Sequence, residues 1–301
     1  MNSLSLSPLL GIPLIRHGDN LADILVAGLD ASNIALEDND ILVLAQKIVS
    51  KAEGRMVNLA TVTPSERAVE LAAQSEKDPR VVELMLRESN EVLRVRVGTI
   101  VVEHRLGFIC ANAGIDHSNV GAPRSDDFSR PANTTKVVTT WENPRSDDSA
   151  QRPDRVSRPN TTTEVVTTWK DSDEYVLLLP ENPDQSASEI RAEIEKRTGR
   201  KIGVMIIDSH GRAWRIGTVG MCIGLSGIPA IVDERGWQDL FGYTLRVTIV
   251  GVADELAAAA SLVMGQAAEG TPAVHVRGFP YPLRDGSLKE LLRPKEQDMF
   301  R

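Results

Sequence analysis

Gly203-Val204-Met205-Ile206-Ile207-Asp208-Ser209-His210-Gly211-Arg212 reads as a buried strand that runs straight into a group of polar side chains. Lys201 to Ile207 forms a compact apolar run bounded by polar residues, the pattern of a strand covered on both faces. Within eight residues of its end come a carboxylate, a hydroxyl and two arginines, Arg212 and Arg215. A carboxylate at the end of a rigid strand is held well enough to ligate a hard cation. Ser209 could add an oxygen, and an arginine could neutralise phosphate or carboxylate. A structural aspartate at a turn is the competing reading of Asp208, and His210 alone is weak evidence of function.

Working outward, Asp40 to Ile48 reads as a second buried strand that ends in Gln46-Lys47. Thr63-Pro64-Ser65-Glu66 predicts a helix start, with Thr63 as cap, Pro64 in the first position and Glu66 closing a capping box. Another helix is expected after Pro79, through Val81, Val82, Leu84 and Met85. Val97 to Glu103 and Gly107 to Ala111 look like two strands joined by a turn at His104 and Arg105. Ser186 and Glu189 form a second capping box, for a helix that stops at Gly199. Thr244 to Val252 is expected to be a strand, Asp254 to Met264 an alanine-rich helix, and Pro272 to Arg277 a last short strand. This uneven alternation predicts an α+β architecture of mixed and antiparallel sheets with flanking helices, and argues against a doubly wound parallel sheet.

Residues 121–173 differ in kind. They are rich in Ser, Thr, Asp, Asn, Arg and Pro, and they contain a duplication. Ser129-Arg130-Pro131 with TTKVVTTW ending at Trp141 recurs 28 residues on, as Ser157-Arg158-Pro159 with TTEVVTTW ending at Trp169. Two copies are too few for a solenoid. The stretch reads as a polar insertion in a single catalytic domain spanning 1–301. Its β-prone tails would suit a hairpin, and its composition would equally suit an insert without fixed structure and without a catalytic role.

A net charge of −8 excludes a nucleic-acid groove, which needs a surplus of Lys and Arg. No apolar run is long enough to span a membrane, and no secretory leader is apparent at Met1 to Ile15. Cys110 and Cys222 sit in apolar surroundings and read as buried thiols in a reducing compartment. A cytoplasmic protein is expected.

Two further segments carry candidate chemistry. Asn112-Ala113-Gly114-Ile115-Asp116-His117-Ser118-Asn119 places a small-residue turn, then a carboxylate, then an amide three residues on. Asp116 could ligate a cation, or could simply bond nearby backbone amides in an Asx-type turn. Met264-Gly265-Gln266-Ala267-Ala268-Glu269-Gly270-Thr271 follows the alanine-rich helix and could bring backbone N–H groups to phosphate oxygens, although it is not a Walker A loop and by itself reads as a loop that ends the helix. Lys51, in Ser50-Lys51-Ala52-Glu53-Gly54-Arg55, is a candidate phosphate contact.

Five stretches taken in order resemble the coenzyme F420:L-glutamate ligase family, the F420-0 gamma-glutamyl ligases. They are GIPLI at 11–15, VSKAEGR at 49–55, NAGIDHSNV at 112–120, DSHGR at 208–212 and VADELAAAASLVMGQ at 252–266. The similarity spans the chain except 121–173, where the sequence departs from the family after Asn119. The resemblance implies metal contacts at Asp116, Asp208 and Ser209, where the family often has Thr, with Gln266 on a second cation. It implies nucleotide contacts at Ile12, Pro13, Leu14 and Ile15, at Gln46, Lys47, Lys51 and Asn119, and along the loop Met264, Gly265, Gln266, Ala267, Ala268, Glu269, Gly270 and Thr271. Asp116, Asp208 and Lys51 would be the catalytic group.

The resemblance further implies a GTP-dependent ligase that adds L-glutamate to a phospholactyl deazaflavin through an acyl phosphate. Mg2+ or Mn2+, with K+ as a further candidate, would be the ions, and the assembly would be a homodimer. Some relatives carry an additional nitroreductase-like domain, and that activity is not expected of a chain ending at Arg301. Two alternatives fit the same residues: a GTP-binding scaffold that recruits a partner through 121–173, and a ligase for another acceptor or amino acid.

Overall fold

A computed structural model describes residues 3–120 and 174–298. The first half holds β1 (Ser5–Pro8), α1 (Leu21–Ala31), β2 (Ile41–Ala45), α2 (Gln46–Ala52), β3 (Met56–Asn58), α3 (Glu66–Ser75) and α4 (Pro79–Arg87). Next come β4 (Ser89–Arg96), β5 (Thr99–His104) and β6 (Ile109–Ala111). The second half holds β7 (Tyr175–Leu177), α5 (Pro183–Thr198), β8 (Gly203–Gly211), β9 (Thr218–Ser226), β10 (Val232–Asp233), β11 (Ile249–Val250), α6 (Val252–Met264) and β12 (Ala273–Arg277).

The central sheet has five strands in the order β1-β12-β2-β8-β9. Only β2 and β8 run parallel; the other neighbours are antiparallel. β4, β5 and β6 form a separate antiparallel sheet, and β3 with β7 and β10 with β11 form two small ribbons. The α+β expectation with mixed and antiparallel sheets therefore holds for the described residues. The 28-residue duplication and the hairpin expected from it lie outside them. Among the described residues no helix is long and apolar enough to cross a membrane.

Apolar side chains leave the central strands on both faces. Leu42, Leu44, Val204 and Ile206 join a core with Leu25 of α1 and Ile194 of α5. Ile41, Val43, Met205 and Ile207 pack with Leu256, Ala257 and Ala260 of α6 on the other. This two-sided burial is why β2 and β8 read as unbroken apolar runs. A bulge where Ile206 pairs with Gly224 and Ile207 with Cys222 shifts the alternation of faces along β9, so that Gly220 and Gly224, four residues apart, meet different helices. Gly224 then lies against Pro183 of α5, while Gly220 lies against α6, where an added Cβ would come within 2.6 Å of the Ala257 carbonyl oxygen. Both helices thus approach one strand more closely than a side chain would allow.

Several local expectations need correction. The strand expected over 40–48 stops at Ala45, and Gln46-Lys47 open α2 instead. Ser65, not Thr63, caps α3, its hydroxyl accepting from the Ala68 N–H. Asn182 caps α5 four residues before the Ser186 box, with Pro183 in the first turn; the Ser186 hydroxyl is spent on Glu53 and the Asn182 carbonyl. Of the strand expected at 244–252, only Ile249–Val250 forms. β8 continues through Asp208 to Gly211 rather than ending at the carboxylate. α1, β4 and β9 were not anticipated. Helices beginning at Pro79 and ending at Gly199, the strands at 99–104 and 109–111, and the burial of both cysteines follow the sequence reading.

Candidate active site

A cleft of about 780 Å³ opens at the end of the central sheet where β2 passes into α2. Its wall is formed by the 12–15 loop, the start of α2, the 112–119 segment, the C-terminal half of β8 and the 264–271 loop. All nineteen residues to which the family resemblance assigns a role line it.

The 112–119 wall owes its shape to an unusual turn. Asn112, Ala113 and Gly114 all take left-handed backbone angles, with φ of 55°, 52° and 64°. A non-glycine residue in that region carries a strain of roughly 1–2 kcal/mol. The turn is held by the Ile100 N–H donating to the Asn112 side chain at 3.1 Å and by complete burial of Ala113. Beyond it the Asp116 N–H and C=O pair with Leu177 of β7 at 3.0 and 2.9 Å, which fixes the carboxylate's starting point.

The Asp116 carboxylate is used asymmetrically. Its Oδ2 accepts from Gln46 Nε2 at 2.7 Å and lies 3.2 Å from Lys47 Nζ. Its Oδ1 accepts no hydrogen bond among the described residues. Burial pushes its pKa up, Lys47 and Gln46 oppose this, and the charge of Asp208 adds to the rise. Asp208 on β8 is also largely buried, with 3.1 Å separating its Oδ2 from His210 Nε2. His210 in turn packs against Phe108, at 5.1 Å between ring centres.

Lys47 and Lys51 lie one turn apart on α2 and both reach the 116–119 segment. Lys47 Nζ donates to the Ser118 carbonyl and hydroxyl, both at 3.0 Å, and Lys51 Nζ donates to the Asn119 carbonyl at 2.7 Å. Burial, with help from Lys47, holds the Lys51 pKa below its ordinary value. Across the cleft, Asn119 Nδ2 donates to the Ala267 carbonyl at 3.0 Å. Ser209 Oγ donates to Gln266 Oε1 at 2.8 Å, and Gln266 Nε2 donates to Ser261 Oγ at 3.0 Å. The two arms that the sequence could only treat separately are thus tied together.

The donor set suits a hard cation. Asp116, Asp208, Ser209 and Gln266 offer only oxygen ligands, and the charge of one partly buried carboxylate, Asp208, acts on the other, Asp116. Among the described residues no group of three or more His, Cys, Asp or Glu side chains could hold an ion alone. One or two carboxylates completed by substrate phosphates is how Mg2+ is commonly bound, so the residues fit the ions the sequence implied.

One expectation fails here. Arg212 and Arg215 do not line the cleft; Arg212 Nη2 instead donates to the Ile216 carbonyl within the turn between β8 and β9. Gln46 lines the cleft, but its side chain is buried and already bonded to Asp116 and Ser50. His210, Ser118 and Ser261 also line the cleft, although their residue types alone do not mark them as site residues.

Comparison with known proteins bears on this arrangement. A family model described as F420-0:Gamma-glutamyl ligase matches residues 10–140 and 165–278, so the match continues past Asn119 and takes in 121–140 and 165–173 of the stretch expected to depart from the family. A Methanothermobacter thermautotrophicus protein named coenzyme F420:L-glutamate ligase is 41% identical over 300 residues, covering 99% of either chain. Proteins of the same name from Methanococcus maripaludis and Archaeoglobus fulgidus are 40% and 36% identical over 294 residues, covering 97% and 98% of this chain and 95% of theirs.

Proposed function

Because the chain belongs to the F420-0:gamma-glutamyl ligase family, we propose that it joins L-glutamate to the deazaflavin coenzyme F420-0, using GTP. Further gamma-linked glutamates would be added by the same chemistry. One observation carries the reading: five segments distant in sequence deliver two carboxylates, two lysines and a glycine-bearing loop to a single cleft.

A carboxylate is a poor electrophile. In the proposed reaction a carboxylate oxygen of the deazaflavin substrate attacks the γ-phosphorus of GTP, forming an acyl phosphate and releasing GDP. The glutamate amine then attacks the acyl carbon, phosphate leaves, and an amide forms. Lys51 and the 264–271 backbone would face the phosphates, and the cleft walls would keep water from the acyl phosphate. Asp116, Asp208, Ser209 and Gln266 would hold divalent cations, Mg2+ or Mn2+, which neutralise charge building on the transferring phosphoryl group.

We also propose a homodimer. Trp214, Ile216, Leu240, Phe241 and Val247 lie in the segment around the β8–β9 turn and the β10–β11 ribbon, and all are strongly exposed. Large apolar side chains left exposed on these two segments suit an interface with a second copy.

The decisive assay incubates purified protein with GTP, glutamate, F420-0 and Mg2+ or Mn2+, and follows mass and GDP. A product heavier by one or more glutamyl units is expected. Substitution of ATP for GTP tests the nucleotide, and absence of any product with every cation would sink the proposal.

A further inference from the structure

We infer that Gln46 is a positioning residue for the Asp116 carboxylate, and that Ser50 sets its orientation. This inference rests on the metal-binding reading of Asp116 proposed above.

Gln46 is 1% exposed and Ser50 is fully buried, so neither side chain is free to meet a nucleotide directly. Ser50 Oγ donates to Gln46 Oε1 at 2.8 Å, which leaves the amide nitrogen facing the other way. That nitrogen has only hydrogens to give, and it gives one to Asp116 Oδ2 at 2.7 Å. The serine hydroxyl thereby decides which end of the amide meets the carboxylate. A flipped amide would set two acceptor oxygens against each other.

The consequence lies in how the two carboxylate oxygens are divided. Oδ2 is saturated by Gln46 and Lys47, while Oδ1 has no protein donor among the described residues. A carboxylate pinned through one oxygen presents the other in a fixed direction. Hydrogen bonding of this kind behind a ligand typically changes metal affinity by about 10–100-fold when removed. Gln46 and Ser50 lie one turn apart on α2, and their backbone is set by the abrupt passage from β2 into that helix. The device is therefore built into the same junction that shapes the cleft.

The test uses Gln46→Met, which keeps length and removes the donor, and Ser50→Ala, which frees the amide to flip. Mn2+ binding is read by electron paramagnetic resonance, with and without GDP, and circular dichroism checks the fold. Both variants are expected to bind Mn2+ more weakly, Gln46→Met by about 10–100-fold and Ser50→Ala by less. Excess Mn2+ should restore turnover with the KM for glutamate unchanged, which general structural damage would not permit. Folded variants that bind Mn2+ as the wild type does would overturn the positioning role alone. A wild type that binds no Mn2+ even with GDP would remove the metal reading, and this inference with it.

Discussion

Asp116→Asn should separate activity from stability in opposite directions. The substitution keeps the shape of the side chain and removes its charge. Two unit charges 4 Å apart interact by about 4 kcal/mol at an effective dielectric of 20, and a dication roughly doubles that gross figure. Stripping water from the ion and the carboxylate takes back more than half, leaving a net loss of ~3 kcal/mol, or about a hundredfold in turnover. Stability follows a different rule. Burial and the Asp208 charge raise the Asp116 pKa above the ordinary value of 3.8. A raised carboxylate is one the fold prefers protonated, so its stability cost appears as pH rises through the ordinary value and is complete above the raised one. Losing the partly exposed Lys47 pair costs under about 1 kcal/mol. The metal-free variant should therefore melt no lower than wild type at neutral pH, while GDP release at saturating Mn2+ collapses. Turnover within about threefold of wild type would refute the electrostatic argument, and a lowered melting point would assign Asp116 a structural role instead.

Gly220→Ala forces a methyl to within 2.6 Å of the Ala257 carbonyl oxygen. It should cost about 1–3 kcal/mol in urea unfolding and raise the KM for nucleotide, because α6 carries the 264–271 loop. Glu88 behaves oppositely to Asp116 with pH: burial would raise its pKa, but His104, Arg105 and Arg55 outweigh this and bring it down to about 2 from an ordinary 4.5. A depressed carboxylate stabilises the fold fully above its ordinary value and loses that contribution as pH falls towards 2. Glu88→Gln should be less stable than wild type at pH 7, by up to ~3 kcal/mol, with the gap closing below pH 4.5 in acid-unfolding curves. Phe241→Asp should shift sedimentation from dimer to monomer and leave the circular dichroism spectrum unchanged; a dimer that persists would place the interface elsewhere.

The parts of the fold legible in sequence were those governed by local rules. β2 and β8 announce themselves because both of their faces are buried, and Asp78-Pro79 and Gly199 mark helix ends through caps and a left-handed residue. The misplaced boundaries arose where local signals competed. Thr63 and Ser65 are both good caps, and only the contact of Ser65 with Glu83, 18 residues away, selects the second. β9 is harder to read because Gly220 and Gly224 interrupt its apolar residues, and only the structure shows that they make room for α6 and α5. A glycine in a strand can mean weakness or close approach, and the helices that decide between them lie elsewhere in the chain.

The site divides along the same line. Asp116 and Asp208 could be named as candidates from residue type and position, and the 264–271 loop only through the family resemblance. Their partners could not, since Gln46 meets Asp116 across 70 residues and Ser209 meets Gln266 across 57. His210 was within reach of reasoning: two residues from Asp208, it must share a strand face with it if the strand continues. Ending the strand at Asp208 hid that neighbour, and it also placed Arg212 and Arg215 too near the cleft. With β8 running on to Gly211, paired to Thr218, the arginines are carried to the exposed turn. In the proposed reaction the cationic side chains beside the phosphates would then be Lys47 and Lys51 of α2, which line the cleft. The extent of one strand thus decides which cationic side chains line the cleft.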